Sequence, residues 1–387
     1  MTGEHVAVIG GSVAGCAAAL ALRQAGIDVT VFERTSDGLQ DRGVGIGMQS
    51  DLYRELESAG YLDASVPYLP MATRKWITRD EGANGGRVIG VMDFDARTYN
   101  WGLLWQALRD RVPDTVEYRA GCRVASVLDG GDKVTVALAD GSEERFDAVL
   151  GADGYRSTVR AAMFPDTRPE YAGYLLWRGT LPAADHADLF QDNETVYVGY
   201  PGGHLVTYLI PGRDGRPIVN WGAYSTPPPG LAPRWDDPTS QPPAELLDHL
   251  AVIGESLPPH WREVIQATPV ERMLTQPIYD VITPALAAGR LALIGDAAAV
   301  ARPHTGAGAV KALQDAVALR SILGEGIGLP EALRVFDQQR GPMHRLLVGL
   351  GRELGRVLVL ETPDWARLDA TGLDEWWDAA IARGVRG

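Results

Sequence analysis

The stretch that most constrains this chain is HVAVIGGSVAGCAAALALRQAGIDVTVFER, from His5 to Arg34. Its opening, HVAVIG, is too short for a helix and rich in valine and isoleucine, which predicts a buried strand of a parallel sheet. Glycines follow at Gly10, Gly11 and Gly15, with Ser12 among them. An Ala/Leu helix then runs to Gly26, a residue suited to a left-handed C-cap, and a second strand, IDVTVFE, ends on Glu33. In this order of elements a glycine fingerprint reads as dinucleotide binding. Backbone N–H groups from Gly10 and Gly11 through Ser12, Val13 and Ala14 to Gly15 would meet a pyrophosphate at a helix N-terminus, where the dipole favours an anion. Glu33 would accept from the hydroxyls of an adenine ribose. The pattern is G-x-S-x-x-G, so Ser12 crowds a place where glycine is usual, although its hydroxyl can donate to phosphate. The rival nucleophile elbow, G-x-S-x-G, needs a glycine where this chain has Ala14, which disfavours it.

A chain of 387 residues buries a large core and is expected to form two domains. The net charge of −14 argues against nucleic acid or an anionic membrane surface as a partner. Cys16 and Cys122 form neither a disulfide framework nor a metal spacing, and Cys16 reads as a small core residue in a reducing cytoplasm. The first strand begins near the fifth residue, which leaves no room for a signal peptide, and no apolar run reaches the ~18–20 residues of a membrane span. The expectation is a cytoplasmic protein with no metal. The sequence does not decide the oligomeric state; a homodimer is compatible with it.

Further along, Gly43, Gly45 and Gly47 predict backbone passing close to something flat or crowded, or else a flexible loop, with Arg42 and Gln49 flanking it. SDLYRELESAG reads as a helix stopped by Gly60. RKWIT and RVIGVMDF read as strands, and YNWGLLWQALRDRV as a helix. DGGD and ADGS are turns of a β-meander that leads into the strand VLGAD. From Tyr171 to Thr268 aromatic strands, VYVGYP, HLVTYLIP and PIVNWGAY, predict an antiparallel sheet, with a proline-rich loop over its surface. Then RLALIGD returns to a buried strand and a loop holding Asp296, followed by a helix from about Gly306. The tail from Leu329 is helical, with Trp365, Trp376 and Trp377 as packing anchors.

Three motifs stand in order: the first glycine turn, GADGYRSTVR at 151–160 and GDAAAVARPHTGAG at 295–308. Together they resemble the single-component FAD-dependent aromatic hydroxylases, over residues 5 to about 345. YNWGLLWQAL, GYLLWRG and RPHTGAGAVKALQDAVAL are most similar to the 2,6-dihydroxypyridine 3-hydroxylase-like branch, as is the GGS form of the first turn. Trp101 stands where an arginine is common, and Lys311 where asparagine is usual. The resemblance implies an α/β (α+β) fold: a Rossmann-type FAD-binding domain from residues 1–70, 97–170 and 270–350, an interleaved antiparallel-sheet substrate domain from 71–96 and 171–269, and a C-terminal helical tail, 351–387. It also implies that NADH or NADPH, bound transiently, reduces FAD, and that O2 then forms a flavin hydroperoxide which hydroxylates or epoxidises a small aromatic or N-heteroaromatic ring.

On that resemblance the cofactor contacts extend to Arg34, Arg42, Gln49, Val124, Asp153, Asp296 and the run Pro303, Gly306, Ala307, Gly308 and Ala309. Asp296 suits the ribityl hydroxyls, and the helix start at Gly306–Gly308 suits the negative charge of reduced flavin. Asp153 alternatively serves only a strand-end turn. His304, between Pro303 and that helix, is either a catalytic group beside the reacting ring or a turn-packing histidine. Trp177, Arg178, Tyr208, Trp221 and Tyr224 are candidates for the substrate wall, with sheet core as the alternative for the aromatics and a nearby carboxylate as the alternative partner for Arg178. A flavin-dependent reductase or oxidase of the same fold, or a non-catalytic flavin-binding protein, remains the other functional reading. The halogenase pattern W-x-W-x-I-P is disfavoured, because RGT follows Trp177.

Overall fold

The computed structural model describes residues 3–39, 44–184, 186–190, 193–231 and 242–386. Among the described residues the first sheet has the strand order Ala287–Ala288, Leu291–Leu293, Ala148–Gly151, His5–Ile9, Asp28–Glu33, Glu117–Ala120. From Leu291–Leu293 onward its neighbours are parallel. Its central strands are buried on both faces, which is why His5–Ile9 and Ala148–Gly151 are runs of apolar residues rather than alternating ones. The helices Val13–Gln24 and Gly308–Gly324 pack against it through Ala17, Leu20, Leu313 and Leu319. The meander Val124–Asp129, Val134–Leu138, Glu143–Phe146 stands beside this layer, its turns closed where Asp129 and Asp140 accept from Gly131 N and Ser142 N.

The second sheet has nine strands among the described residues, ordered Ala299–Val300, Met273–Ile282, Glu170–Pro182, Pro217–Ser225, Gly203–Pro211, Glu194–Tyr200, Leu69–Asp80, Ala83–Asn100, Gly45–Gln49. It is antiparallel except where Glu194–Tyr200 runs parallel to Leu69–Asp80. Its two faces bury different partners. One lays Leu175, Trp177, Leu205 and Trp221 against the helices Ala244–Glu255 and Pro259–Gln266. The other lays Trp76, Tyr174, Leu176 and Tyr224 against the end of the helix Leu329–Gly355, the turn Arg356–Leu360 and the helix Ala370–Arg386. Glycines let the large rings lie flat on the sheet: a Cβ on Gly179 would overlap the Trp221 ring, and one on Gly199 the Trp365 ring.

Three local expectations change. The helix expected to include Tyr99 and Asn100 begins at Trp101, because Asn100 is its N-cap and its side-chain oxygen accepts from Gly102 N at 3.0 Å. Gly45 and Gly47 belong to a strand, Gly45–Gln49, rather than a loop. A Cβ on Gly45 would stand 2.5 Å from the Tyr208 ring, so the crowding predicted there is real. Asp296 sits in a one-turn helix, Gly295–Ala298, which opens on Gly295 at φ 57°.

The C-terminal helix is held by an aromatic cluster. Trp76 is fully buried and stacks on Tyr197 at 4.5 Å and on Trp365 at 5.5 Å, with Trp376 and Trp377 at its edges. Trp76→Ala is expected to cost about 3–5 kcal/mol and to lower the urea midpoint followed by far-ultraviolet circular dichroism. An unchanged midpoint would show that the helix Ala370–Arg386 is held by other contacts.

Candidate functional site

The loops after four adjacent parallel strands emerge at one edge of the first sheet. The chain leaves the central strand, His5–Ile9, toward Asp28–Glu33 on one side, while Ala148–Gly151 lies on the other. A crevice at such a switch of direction is where open α/β sheets bind ligands. The first turn fills it with backbone alone. Gly10 has φ 101°, and a Cβ there would lie 2.5 Å from the Ala152 carbonyl oxygen; a Cβ on Gly15 would overlap the carbonyl of Gly10. Trp105 Nε1 and the Tyr118 hydroxyl donate to the Gly11 carbonyl at 2.9 and 3.0 Å. Ser12 is the N-cap of the helix Val13–Gln24, yet its side chain caps no N–H. The first-turn donors are therefore left for an outside acceptor.

Glu33 has a structural task that its spacing did not reveal. Its two carboxylate oxygens accept from Gly11 N and Thr35 N, both at 2.8 Å. A carboxylate has about four acceptor positions, so two remain open.

The second and third motifs meet each other through Arg160. This buried guanidinium donates to the carbonyls of Asp296 (3.1 Å) and Ala297 (2.9 Å), and to that of Tyr155. Asp153 accepts from Thr158 N at 2.7 Å through Oδ2, while its Oδ1 is buried without a partner. Burial pushes its carboxyl above the usual range. Asp296 keeps its side chain 43% exposed, steadied by the buried Lys311 ammonium at 3.1 Å, which also donates to the Ala299 carbonyl. Beneath them Asp315, fully buried, accepts from Gly295 N (2.9 Å), Arg340 Nε (2.8 Å) and His344 Nε2 (2.9 Å). Burial alone would raise its carboxyl, but His344 and Arg340 hold it below the usual range.

Residues 303–308 join this crevice to the second sheet. Pro303–Thr305 form a short 3-10 turn, Gly306 takes φ 63°, and the helix Gly308–Gly324 starts with no side chain capping it. His304 reaches the face of the second sheet that carries Tyr174 and Tyr224. Its Nε2 lies 2.9 Å from the Tyr174 hydroxyl, its ring 4.3 Å from that of Tyr224, and its Nδ1 is buried without a partner. Burial, then the neighbouring His204 and Arg302, hold its pKa well below the usual histidine value, so it is neutral. His204 stacks on Tyr224 at 4.7 Å, faces the Leu358 carbonyl through Nδ1 at 3.3 Å, and is brought down to about 4 by burial.

The pleat sorts the wall candidates. Arg178 and Tyr224 lie on the face that His304 meets: Leu176 pairs with Tyr224, and Arg178, two residues on, pairs with Gly222. Tyr208 lies there too, against Gly45 and within the field of Arg178. Trp177 and Trp221 do not. One residue out of phase, both are fully buried on the opposite face, against the helices Ala244–Glu255 and Pro259–Gln266, and Trp221 Nε1 donates to Thr268 Oγ1 at 2.9 Å. They are core. Of the remaining candidates, Arg34 and Gln49 are exposed, Ala309 is half-buried near the helix start, and Val124 is buried at the head of the meander. Arg42 lies outside the described residues. Trp101 is half-buried against the first core.

These residues fit FAD. The uncapped helix starts and the glycine turn, into which no Cβ fits, suit a diphosphate; Asp296 and the orphaned Asp153 Oδ1 are acceptors for hydroxyl and N–H groups. The family described as FAD binding domain matches residues 4–348. The 2,6-dihydroxypyridine 3-monooxygenase of Paenarthrobacter nicotinovorans is 30% identical over 361 residues, covering 88% of this chain and 87% of that protein. The aurachin C monooxygenase/isomerase of Stigmatella aurantiaca is 30% identical over 346 residues, covering 88% and 85%. The solved structure of 2,6-dihydroxypyridine-3-hydroxylase from Arthrobacter nicotinovorans superposes with a TM-score of 0.81 at 26% identity, covering 95% of this chain and 97% of that one. The chain belongs to the FAD-binding-domain family, with FAD as its cofactor. Among the described residues no helix is long and apolar enough to cross a membrane, and no cluster of side chains could hold a metal ion.

The depressed His204 predicts acid sensitivity. An unfolded imidazole protonates near pH 6.5, the folded one near 4, so between these values the unfolded state holds more protons and stability falls as pH falls. The melting temperature is expected to drop between pH 7 and 5, and to drop less in His204→Asn. Equal slopes in the two proteins would show that His204 is not held neutral.

Proposed function

We propose that this member of the FAD-binding-domain family is a monooxygenase that takes electrons from NADH or NADPH and uses O2 to hydroxylate or epoxidise an aromatic or heteroaromatic ring. The observation that carries the proposal is the run from Pro303 to Gly308. It begins a helix that packs beside the glycine turn, and in the same six residues it presses a neutral imidazole onto the aromatic face of the second sheet. A cofactor held by the first sheet and a ring held by the second would therefore meet at this run. Both relatives described above are named as monooxygenases, and one of them acts by its name on a pyridine ring.

Bound FAD supplies the redox chemistry, accepting hydride and activating oxygen. The chain supplies binding and orientation. Gly10 and Gly11, whose own N–H groups are spent on Phe32 O and Glu33, leave room for the diphosphate, and the free first-turn N–H groups beyond Ser12 hold it; Glu33 holds the ribose with its remaining lone pairs; Asp296, oriented by Lys311, takes the ribityl hydroxyls. The uncapped N-terminus at Gly308 favours negative charge beside it. On this reading the first sheet with its meander is the FAD-binding domain, drawn from residues 1–70, 97–170 and 270–350; residues 71–96 and 171–269 bind substrate, and 351–387 form a helical tail. In the cleft Tyr224, Tyr197 and Leu176 exclude water from the reacting ring.

His304 is best read as a neutral hydrogen-bonding group that orients a ring hydroxyl. With its pKa so far below neutrality it holds a proton only in passing. Its tautomer follows from Tyr174: whichever role Nε2 takes toward that hydroxyl, Nδ1 takes the complementary one toward the ring.

The test is spectroscopic. Protein loaded with FAD is expected to show flavin absorbance that NADH or NADPH bleaches and air restores. His304→Asn is expected to slow substrate-dependent turnover about 10- to 100-fold, with a smaller effect on flavin reduction in the absence of substrate. A protein that takes up no flavin would overturn the reading. Equal loss in both half-reactions would make His304 structural.

A further inference from the structure

We propose that Arg302 is a positioning residue which, acting through Tyr174, fixes the proton of the His304 imidazole on Nδ1, so that this ring meets a ligand as a hydrogen-bond donor. The inference rests on the reading of His304 as the group beside the reacting ring, and adds the direction of the hydrogen bond it makes there.

The chain of contacts starts at a carboxylate. Asp280, on the strand Met273–Ile282, has no exposed surface and is held between two arginines. Its Oδ2 accepts from Arg302 Nε at 2.8 Å, and its Oδ1 from Arg352 Nε and Nη2 at 2.9 and 2.6 Å. Arg352 Nη2 also donates to the exposed Glu170, 2.7 Å away. Arg302 is buried, and with its Nε fixed the rest of its guanidinium stands beside Tyr174, its carbon 5.8 Å from the ring centre. The helix Leu329–Gly355 makes room for both. A Cβ on Gly355 would overlap the Tyr174 hydroxyl and stand 3.1 Å from Arg302 Nη1.

From there the protons follow by elimination. A guanidinium has N–H donors and no acceptor, a phenol has one proton, and a neutral imidazole has one nitrogen of each kind. Burial pushes the Tyr174 hydroxyl up, and the charge and hydrogen bond of Arg302 draw it part of the way back, so the phenol keeps its proton at neutral pH. Arg302 presents only N–H to the Tyr174 oxygen, which accepts. The hydroxyl proton must leave in another direction, and among the described residues the partner with a lone pair for it is His304 Nε2, at 2.9 Å. Nε2 is then the acceptor nitrogen, and the imidazole proton sits on Nδ1.

The opposite tautomer would turn Nε2–H onto the Tyr174 oxygen and leave the phenol proton buried with no acceptor, a loss that protein interiors avoid. Both tautomers leave Nδ1 without a protein partner, so the Tyr174 proton is the difference between them. Beyond Tyr174 the nearest rings are those of Tyr224 and His204, at 4.3 and 5.2 Å. A buried Nδ1–H there calls for a lone pair from outside the protein: the oxygen of a ring hydroxyl or carbonyl, or a ring nitrogen. Arg302 touches neither that ligand nor His304 Nδ1. Its effect passes through one phenol.

The experiment is nitrogen-15 nuclear magnetic resonance of the FAD-loaded protein labelled at histidine, near pH 7, with His304→Asn to identify the resonances. The couplings within the imidazole ring tell a protonated nitrogen from one with a lone pair. The wild type is expected to show Nδ1 protonated and Nε2 not, with the other tautomer about 10-fold or more less populated. Tyr174→Phe is expected to raise the Nε2–H form about 10-fold. Arg302→Met, which leaves Asp280 paired with Arg352, is expected to move the ratio the same way with Tyr174 still present. Should Arg302→Met not fold by circular dichroism, Arg302→Lys is read in its place and is expected to give an intermediate ratio. A wild type protonated at Nε2, or a ratio unmoved in Tyr174→Phe or in the folded Arg302 variant, would overturn the proposal. A merely structural Arg302 would change stability and leave the tautomer alone. The same samples separate the two levels of argument: protein that takes up FAD and is bleached by NADH or NADPH but shows the wrong tautomer removes only the role of Arg302, whereas protein without flavin removes the reading beneath it.

Discussion

The contact on which the rest of the structure depends is backbone against backbone at Gly10. Its missing side chain lets the first turn lie on Ala152 and Asp153, which bind the first motif to the second. The third motif joins through Gly295, where a Cβ would sit 3.3 Å from that of Ala14 and 3.0 Å from that of Ala312. Three segments distant in sequence are thus packed with almost no side chain between them. A cofactor long enough to touch all three would need few dedicated side chains, because N–H groups and two helix ends face that place. The buried ions serve that packing. Arg160 ties carbonyls of the second and third motifs, and Asp315 fixes the N–H of Gly295 from below. Removing one partner from either network leaves a buried charge unpaired, which is far more damaging than losing an exposed pair.

From that crevice the run 303–308 transfers position to the second sheet. Gly306 turns the chain with a positive φ, so that the residue before the turn faces the sheet and the residues after it begin a helix. His304 thereby lands in an aromatic row, Tyr174, Tyr224, His204 and Tyr197, whose far end continues into Trp76 and the C-terminal tryptophans. The same row packs against the helix Ala370–Arg386. Burial is the largest cause that keeps both of its histidines neutral, joined at His304 by the neighbouring His204 and Arg302.

What was legible in the sequence was local. The strand–turn–helix–strand of residues 5–34, the meander turns at Asp129 and Asp140, and Gly26 as a left-handed cap are each written in a few consecutive residues. The second sheet was legible as strands, but not as faces. Trp177 and Arg178 are neighbours in sequence and opposite in the pleat, and only the partners of each face show that the tryptophan is core and the arginine lies on the face that His304 meets. Long-range polar partners were not legible at all. Nothing in STVR marks Arg160 as the residue that holds the Asp296 turn, and nothing near Glu33 shows that Gly11 and Thr35 already occupy two of its lone pairs. Those facts depend on which strands lie side by side.

The face of the second sheet that meets His304 has two ends of different charge. At the His304 end, burial together with His204 and Arg302 strips the imidazole of its proton, so that end can accept or donate a hydrogen bond but adds no net charge. At the Arg178 end stands a half-buried guanidinium against which the protein has placed no carboxylate among the described residues. Two residues of strand, about 7 Å, separate the Leu176–Tyr224 pair beneath His304 from Arg178, so one face of one central strand carries a neutral end and a charged end.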